Sequence, residues 1–376
     1  MLTIAAVTLI AAGIYFFGTP EQNIVQNTED LDKVNPVGPQ FLADSAYAFC
    51  EAQCAFGPRT MNSEAHEKCA RWIEQKFRQY GCEVELQKAD LKGYDGTTLH
   101  ATNIIARHNP EAKKRILICA HWDSRPWADN DPDSLNWRKP VMAANDGASG
   151  VAVMLELARL IASQQGGLKG RDGQEASPSG GGLEGALGID FVCFDAEDWG
   201  TPRWEEDQTG STDSWALGAQ YWAQQTAKAS PSGGGLEEAH PLPERSSPPR
   251  SLPSLIPHPE YGILLDMVGG EGAQFYHEGF SKQYAPDILK RVWRAARQAG
   301  YGSFFPRKDG GMITDDHVPV NQIAGIPTID IIPYYPDCPT SSFGPTWHTV
   351  DDTMEYIDRA TLQAVGQTLI QVIYTE

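Results

Sequence analysis

Apolar residues recur along this chain in two alternating rhythms. Between 63 and 80 they fall at Ala65, Cys69, Trp72, Ile73, Phe77 and Tyr80, a helical spacing that Gly81 is placed to end. A strand-like alternation follows at 82–86. Four unbroken apolar runs of strand length then appear at 115–120, 188–194, 261–267 and 326–332, separated by helical patterns at 150–161, 212–225 and 285–298. A last helix is expected over 359–374. Continuous apolar strands separated by helices predict an α/β three-layer sandwich, with a mixed, largely parallel central sheet flanked by helices on both faces. Such sheets bind ligands beyond the carboxyl ends of their strands. His121 with Asp123, residues 195–198, and Asp266 stand at or just past the ends of three of these runs, so one shared cleft is expected.

Outside this pattern, residues 2–17 are almost wholly apolar, shorter than the ~20 residues of a comfortable bilayer span but long enough for a signal-peptide core. No Lys or Arg precedes them. A signal peptide or uncleaved anchor followed by a polar tether to residue 40 is expected, and with it an exported chain, periplasmic or membrane-anchored. The catalytic domain would then occupy 41–376. Two stretches, 164–188 and 227–258, are rich in Gly, Ser, Pro and charge, and the same nine residues, ASPSGGGLE, begin at Ala176 and again at Ala229. Their composition predicts disordered loop inserts.

A net charge of −19, from 49 acidic against 30 basic residues, argues against nucleic acid and anionic membrane surfaces as partners and suits a cationic or neutral substrate, as it also suits plain solubility. Membrane contact is expected only through the N-terminal apolar segment. The seven cysteines lack zinc-finger spacing. Cys119 and Cys193 read as core residues, while Cys50 with Cys54, or Cys69 with Cys82, are candidate bridges in an oxidising compartment.

The chemistry lies in short polar strings. AHWDSRP sets His121 two residues from Asp123, a candidate metal ligand with a carboxylate to orient it, or a structural hydrogen-bonding pair. In NDGASG, Asp146 is placed either to cap the following helix or to supply a ligand from a tight loop. FDAEDWG ends an apolar strand with Glu197 beside Asp198; two adjacent carboxylates in a desolvated cleft call for a cation, leaving one metal-bound and the other free for acid–base work. Asp266 interrupts an apolar stretch where an unpartnered carboxylate is costly. GGMITDDHVPV adds Asp315, Asp316 and His317, and WHTVDDT adds His348 beside Trp347. The set has the chemistry of an oxygen-rich, nitrogen-containing zinc site with an open position.

In the order HxD, NDGASG, acidic pair, LLD and WHT, the chain resembles the zinc aminopeptidase superfamily of single-domain exopeptidases, from about Phe41 onward and apart from the inserts. RPWADND, DAEDWG, DDHVPV and WHTVDDT are most similar to glutaminyl cyclases of the bacterial type. The resemblance implies one zinc ion per chain, bound by Asp146, Asp198 and His348, with Glu197 as general acid–base and Asp266 and Asp315 as its catalytic partners. It implies peptides or proteins with N-terminal glutamine as substrates: the α-amine attacks the side-chain amide, and Glu197 carries the proton to departing ammonia. Trp347 and Trp199 are candidates for the pocket wall, as well as for ordinary packing. Many members carry two glutamates where this chain has Glu197–Asp198. The alternatives are a dinuclear zinc aminopeptidase, in which His121, Asp146 and Asp266 hold a second zinc, and a non-catalytic binding domain of the same fold. Asp123 and His317 complete the candidates for a second metal or its supporting shell.

Overall fold

The computed structural model describes residues 33–166, 187–206, 211–229 and 257–376. The apolar run at 2–17 and most of both expected inserts lie outside the described residues. The edges of the inserts are nonetheless regular, since α3 continues through Gly166, the strand after the first insert starts at Leu187, and α4 continues through Ala229.

Six strands form one mixed sheet in the order β1-β2-β4-β3-β5-β6. An antiparallel hairpin of β1 (Glu83–Lys92) and β2 (Thr98–His108) is joined through β2 to the parallel group β4 (Leu187–Phe194), β3 (Lys114–His121), β5 (Tyr261–Leu265) and β6 (Thr328–Ile331). The alternation of strand side chains divides the core in two. Ile116, Ile118 and Ala120 of β3 point to one face, under α1 (Ala43–Cys54), α2 (Glu64–Gln79), α3 (Ala148–Gly166), α6 (Pro286–Gln298) and α8 (Arg359–Thr375). Leu117 and Cys119 point to the other, where α4 (Leu217–Ala229) and α7 (His317–Gln322) supply Ala219, Trp222 and Val320. A short α5 (Gly279–Tyr284) packs against β6.

Local chemistry sets the ends of these elements. Ser63 caps α2 by accepting from the His66 N–H, Glu64 and Glu67 occupy the positive first turn, and Lys76 and Arg78 the negative last one. Gly81, at φ +78°, takes the left-handed turn that ends it. Gly150 in the first turn of α3 is required by close approach: a Cβ there would lie 2.4 Å from the Leu265 carbonyl oxygen. Its absence lets the start of α3, and Asp146 just before it, lie against the end of β5.

Four expectations change. The helix expected over 212–225 is a 3-10 turn at Ser211–Ser214 and then α4 from Leu217; the break falls at Ala216, whose φ is +55°. The alternation expected only at 82–86 extends through all of β1, and β2 is an additional strand whose partner, β4, lies some eighty residues further on. Of the stretch expected as tether, residues 33–40 are described, and they are docked: the Val37 N–H donates to the Gln371 side chain and the Asn35 N–H to the Gln298 carbonyl. All seven cysteines are unbridged, including both candidate pairs.

Candidate active site

The carboxyl ends of the parallel strands meet at a pocket of about 260 Å³. Its polar lining is Asp146, Glu197, Asp266, Asp315 and His348; Trp215, Phe343, Trp347 and Ile332 form apolar walls. A larger groove, about 620 Å³, runs between α2 and the β1–β2 hairpin, but none of these strand-end carboxylates lines it.

Backbone strain gathers at the same place. Ala196, Ala216, Met267 and His348 all have positive φ, between 49° and 55°. Left-handed conformations are uncommon for residues with a Cβ and cluster at functional sites. Here they turn the chain sharply just before Glu197, just after Trp215, just after Asp266, and at His348 itself.

Two groups of ligand atoms share Asp146. Asp146, Asp198 and His348 form one, with His348 Nε2 at 3.2 Å from Asp198 and 3.4 Å from Asp146. His121, Asp146 and Asp266 form the other, with His121 Nε2 at 3.0 Å from Asp146 and 3.3 Å from Asp266. All five residues are buried, and Asp198 Oδ2 has no hydrogen-bond partner. One imidazole nitrogen and two carboxylates, with a buried oxygen left over, fit the donor preferences of zinc.

Neighbouring groups hold the ligands. The Asp123 carboxylate accepts from the backbone N–H of both Glu197 and Asp198, at 3.1 Å each, and lies 3.5 Å from His121 Nδ1. Asp352 does the same for Asn145 and Asp146, at 2.8 and 3.0 Å. Asp195 points away from the pocket, bonded to His66 at 2.8 Å and to the Thr102 N–H.

Burial pushes the Glu197 carboxyl well above its usual range, opposed by His121 and reinforced by Asp198 and Asp315. Burial likewise lifts Asp266 to about 6, against the His121 hydrogen bond, and Asp315 to about 7, with Asp266 adding to the effect. Asp146 is held low despite burial, because two imidazoles face it. The pocket therefore combines a strongly acidic carboxylate with several reluctant ones, the separation that acid–base chemistry uses.

Residues 103–373 match the profile of peptidase family M28. The chain belongs to this family. Among solved structures, this M28 chain is similar to the glutaminyl cyclase of Bacteroides thetaiotaomicron bound to N-acetylhistamine: 45% identity, TM-score 0.74, covering 90% of this chain and 99% of that one. It is similar to a Zn-dependent exopeptidase from Parabacteroides distasonis at 43% identity and TM-score 0.74, covering 90% and 100%. Bovine glutaminyl-peptide cyclotransferase is 25% identical over 289 residues, 73% of this chain and 66% of the relative, so the match spans about two thirds of that protein.

The structure brings Asp146, Glu197, Asp198, Asp266, Asp315, His121, His348 and Trp347 together. Trp199 is not part of the pocket: its ring packs 5.3 Å from Trp127, and Trp215 stands in the wall instead, parallel to the His348 ring at 5.8 Å. His317 belongs to a third buried group that could hold a metal, with Asp315 and Asp330; its Nε2 faces Glu278 at 3.2 Å and its Nδ1 faces Asp330 at 3.9 Å, and Asp315 joins this group to the pocket. Trp215, Asp352, Arg125 and Asp129 were not singled out from the sequence. The second Asp of WHTVDDT and the Arg of AHWDSRP were the available signals.

Proposed function

We propose that this M28 enzyme is a glutaminyl cyclase: a zinc-dependent aminoacyltransferase that converts the N-terminal glutamine of peptides and proteins to pyroglutamate and releases ammonia. The observation that carries the reading is a Trp-walled pocket of one-side-chain size, with Glu197 buried beside Asp266 and Asp315, in a chain 45% identical to a bacterial glutaminyl cyclase.

Asp146, Asp198 and His348 would hold the zinc. When bound, it supplies Lewis-acid polarisation of the substrate's amide carbonyl. The remaining work falls to the chain's own side chains. Trp215, Trp347 and Phe343 take the methylene stem of glutamine, while the acidic floor attracts the amino terminus. The α-amine attacks the side-chain amide carbon, a C–N bond forms, and the bond to the amide nitrogen breaks. Glu197 takes the proton lost by the amine and returns it to the leaving nitrogen as ammonia departs, a role suited to a carboxyl with a raised pKa. Asp266 and Asp315 flank it and hold the amine. Folding of both reacting groups into one small pocket favours ring closure over attack by water.

A single zinc belongs to the cyclase reading, in which His121, with Nε2 at 3.0 Å from Asp146 and 3.3 Å from Asp266, hydrogen-bonds these carboxylates instead of holding a second ion. The second reading, a dinuclear aminopeptidase, draws on the His121–Asp146–Asp266 group and on the exopeptidase likeness. The test is to incubate zinc-loaded protein with a Gln-initiated and a Leu-initiated dipeptide amide and follow products by mass spectrometry. Pyroglutamyl product and ammonia from the first, with the second intact, are expected; release of free leucine would make the chain an aminopeptidase.

We place the enzyme outside the cytosol, with residues 2–17 as signal or anchor; fractionation of cells expressing the full chain tests this. No helix among the described residues is long and apolar enough to cross a membrane.

A further inference from the structure

Arg125 is buried, 1% exposed, directly behind the proposed ligand Asp198, and none of the chemistry above uses it. Its Nε and Nη2 donate to the two oxygens of Asp129, each at 2.7 Å. Its Nη1 reaches Asp198 Oδ1 and the Asp198 carbonyl at 3.3 Å, and the Gly200 carbonyl at 3.4 Å. Asp129 Oδ1 in turn lies 3.6 Å from His348 Nδ1, across the ring from the Nε2 that faces Asp198. The contacts close a circuit from Asp198 to Arg125 to Asp129 to His348 and back to Asp198.

The circuit is braced from outside. Asp129 Oδ2 also accepts from the Arg203 backbone N–H at 2.9 Å. Asn130 donates to the His348 carbonyl at 3.0 Å through its backbone and to the Trp347 carbonyl at 3.2 Å through its side chain. The guanidinium also lies 4.7 Å from the centre of the Trp215 ring, which is parallel to His348.

We infer that Arg125 and Asp129 are positioning residues that fix two of the three proposed zinc ligands, Asp198 and His348, and the pocket wall Trp215 in one rigid unit. This rests on the zinc reading given above. A carboxylate behind Nδ1 favours the tautomer that carries its proton there, which leaves the Nε2 lone pair directed at the ion. The arginine fork fixes the plane of Asp129 and occupies Asp198 Oδ1, while Oδ2 is without a hydrogen-bond partner. Lysine, a point charge without the fork, cannot hold both carboxylates in register.

The experiment compares the full wild-type chain with Arg125→Met, Arg125→Lys and Asp129→Asn. Zinc affinity is read by chelator competition, ligand geometry by the visible spectrum of the cobalt(II)-substituted protein, kcat and KM with a Gln-initiated dipeptide amide, and melting on the metal-free protein. Loss of zinc affinity by about 10–100-fold in Arg125→Met and Asp129→Asn, with an altered cobalt spectrum and only partial recovery in Arg125→Lys, is the expected result. A purely structural pair would lower the metal-free melting temperature and leave both metal readouts alone. Folded variants with zinc affinity within about threefold of wild type and superimposable cobalt spectra overturn the inference. If Arg125→Met does not fold, Asp129→Asn decides alone, since its amide oxygen can still accept from Arg203. A wild-type chain that binds no zinc would instead remove the metal reading beneath it.

Discussion

At the scale of single residues, Glu197 and Asp198 are neighbours in sequence with different surroundings. Asp123 grips both backbone N–H groups, and Arg125 and His348 then engage the Asp198 carboxylate, which leaves Glu197 as the carboxyl facing the pocket. Glu197→Gln keeps the shape and removes the proton carrier. Its expected effect is a fall in kcat for ammonia release of about 10²–10⁴-fold with zinc content unchanged. Ammonia assay and metal analysis on the same preparation check this, and loss of zinc along with activity would reassign Glu197 as a ligand. The acidic pair was legible in the sequence because adjacent carboxylates at a strand end are conspicuous. Which of the two faces the pocket was given only by the family resemblance and not by the residue pattern, because it depends on Ala196 turning left-handed and on Asp123, more than seventy residues away.

Whole elements are tied together at their ends opposite the pocket. The Glu376 side chain, following α8, accepts from Lys114 at the start of β3, Tyr261 at the start of β5, and Arg291 of α6. Burial would raise its pKa, but these three donors outweigh burial and hold it below the usual value. A carboxyl held low contributes stability above its unfolded-state pKa, near 4.3, and that contribution disappears as pH falls through the lower folded-state value. Glu376→Gln is therefore expected to lower the melting temperature by a few degrees at pH 7, with the difference closing toward pH 3. Melting curves across that range check it; a pH-independent difference would assign the effect to lost packing. Helix positions were readable from apolar spacing where caps agreed with it, as in α2. The break before α4 was not, since Trp215 and Ala216 fit a helical pattern and leave it where the Ala216 and Leu217 N–H groups donate to the Glu197 and Ala196 carbonyls, far back in the chain.

Across the molecule, the proposed metal set draws its ligands from three distant segments: the loop before α3, the end of β4 and the loop that precedes α8. Bringing those buried carboxylates together without a cation is unfavourable. Zinc should therefore stabilise the fold as a ligand does, by about 2.7 kcal/mol at a free concentration one hundred times its Kd. Chelator dialysis is expected to lower the melting temperature and zinc to restore it in a concentration-dependent way. An unchanged melting temperature would mean that no ion binds to the folded chain at this set.

The strand-length apolar runs, the helices between them and the acidic and imidazole groups at the strand ends are local properties, so the sequence alone determined the α/β class, the end of the sheet that carries the site and most of its polar members. The tertiary structure decided the rest: the β2–β4 pairing, the exchange of Trp199 for Trp215, the grouping of His317 with Glu278, Asp315 and Asp330, and the circuit through Arg125 and Asp129. Each of these depends on left-handed turns or on contacts between segments far apart in the chain, and neither leaves a periodic trace among neighbouring residues.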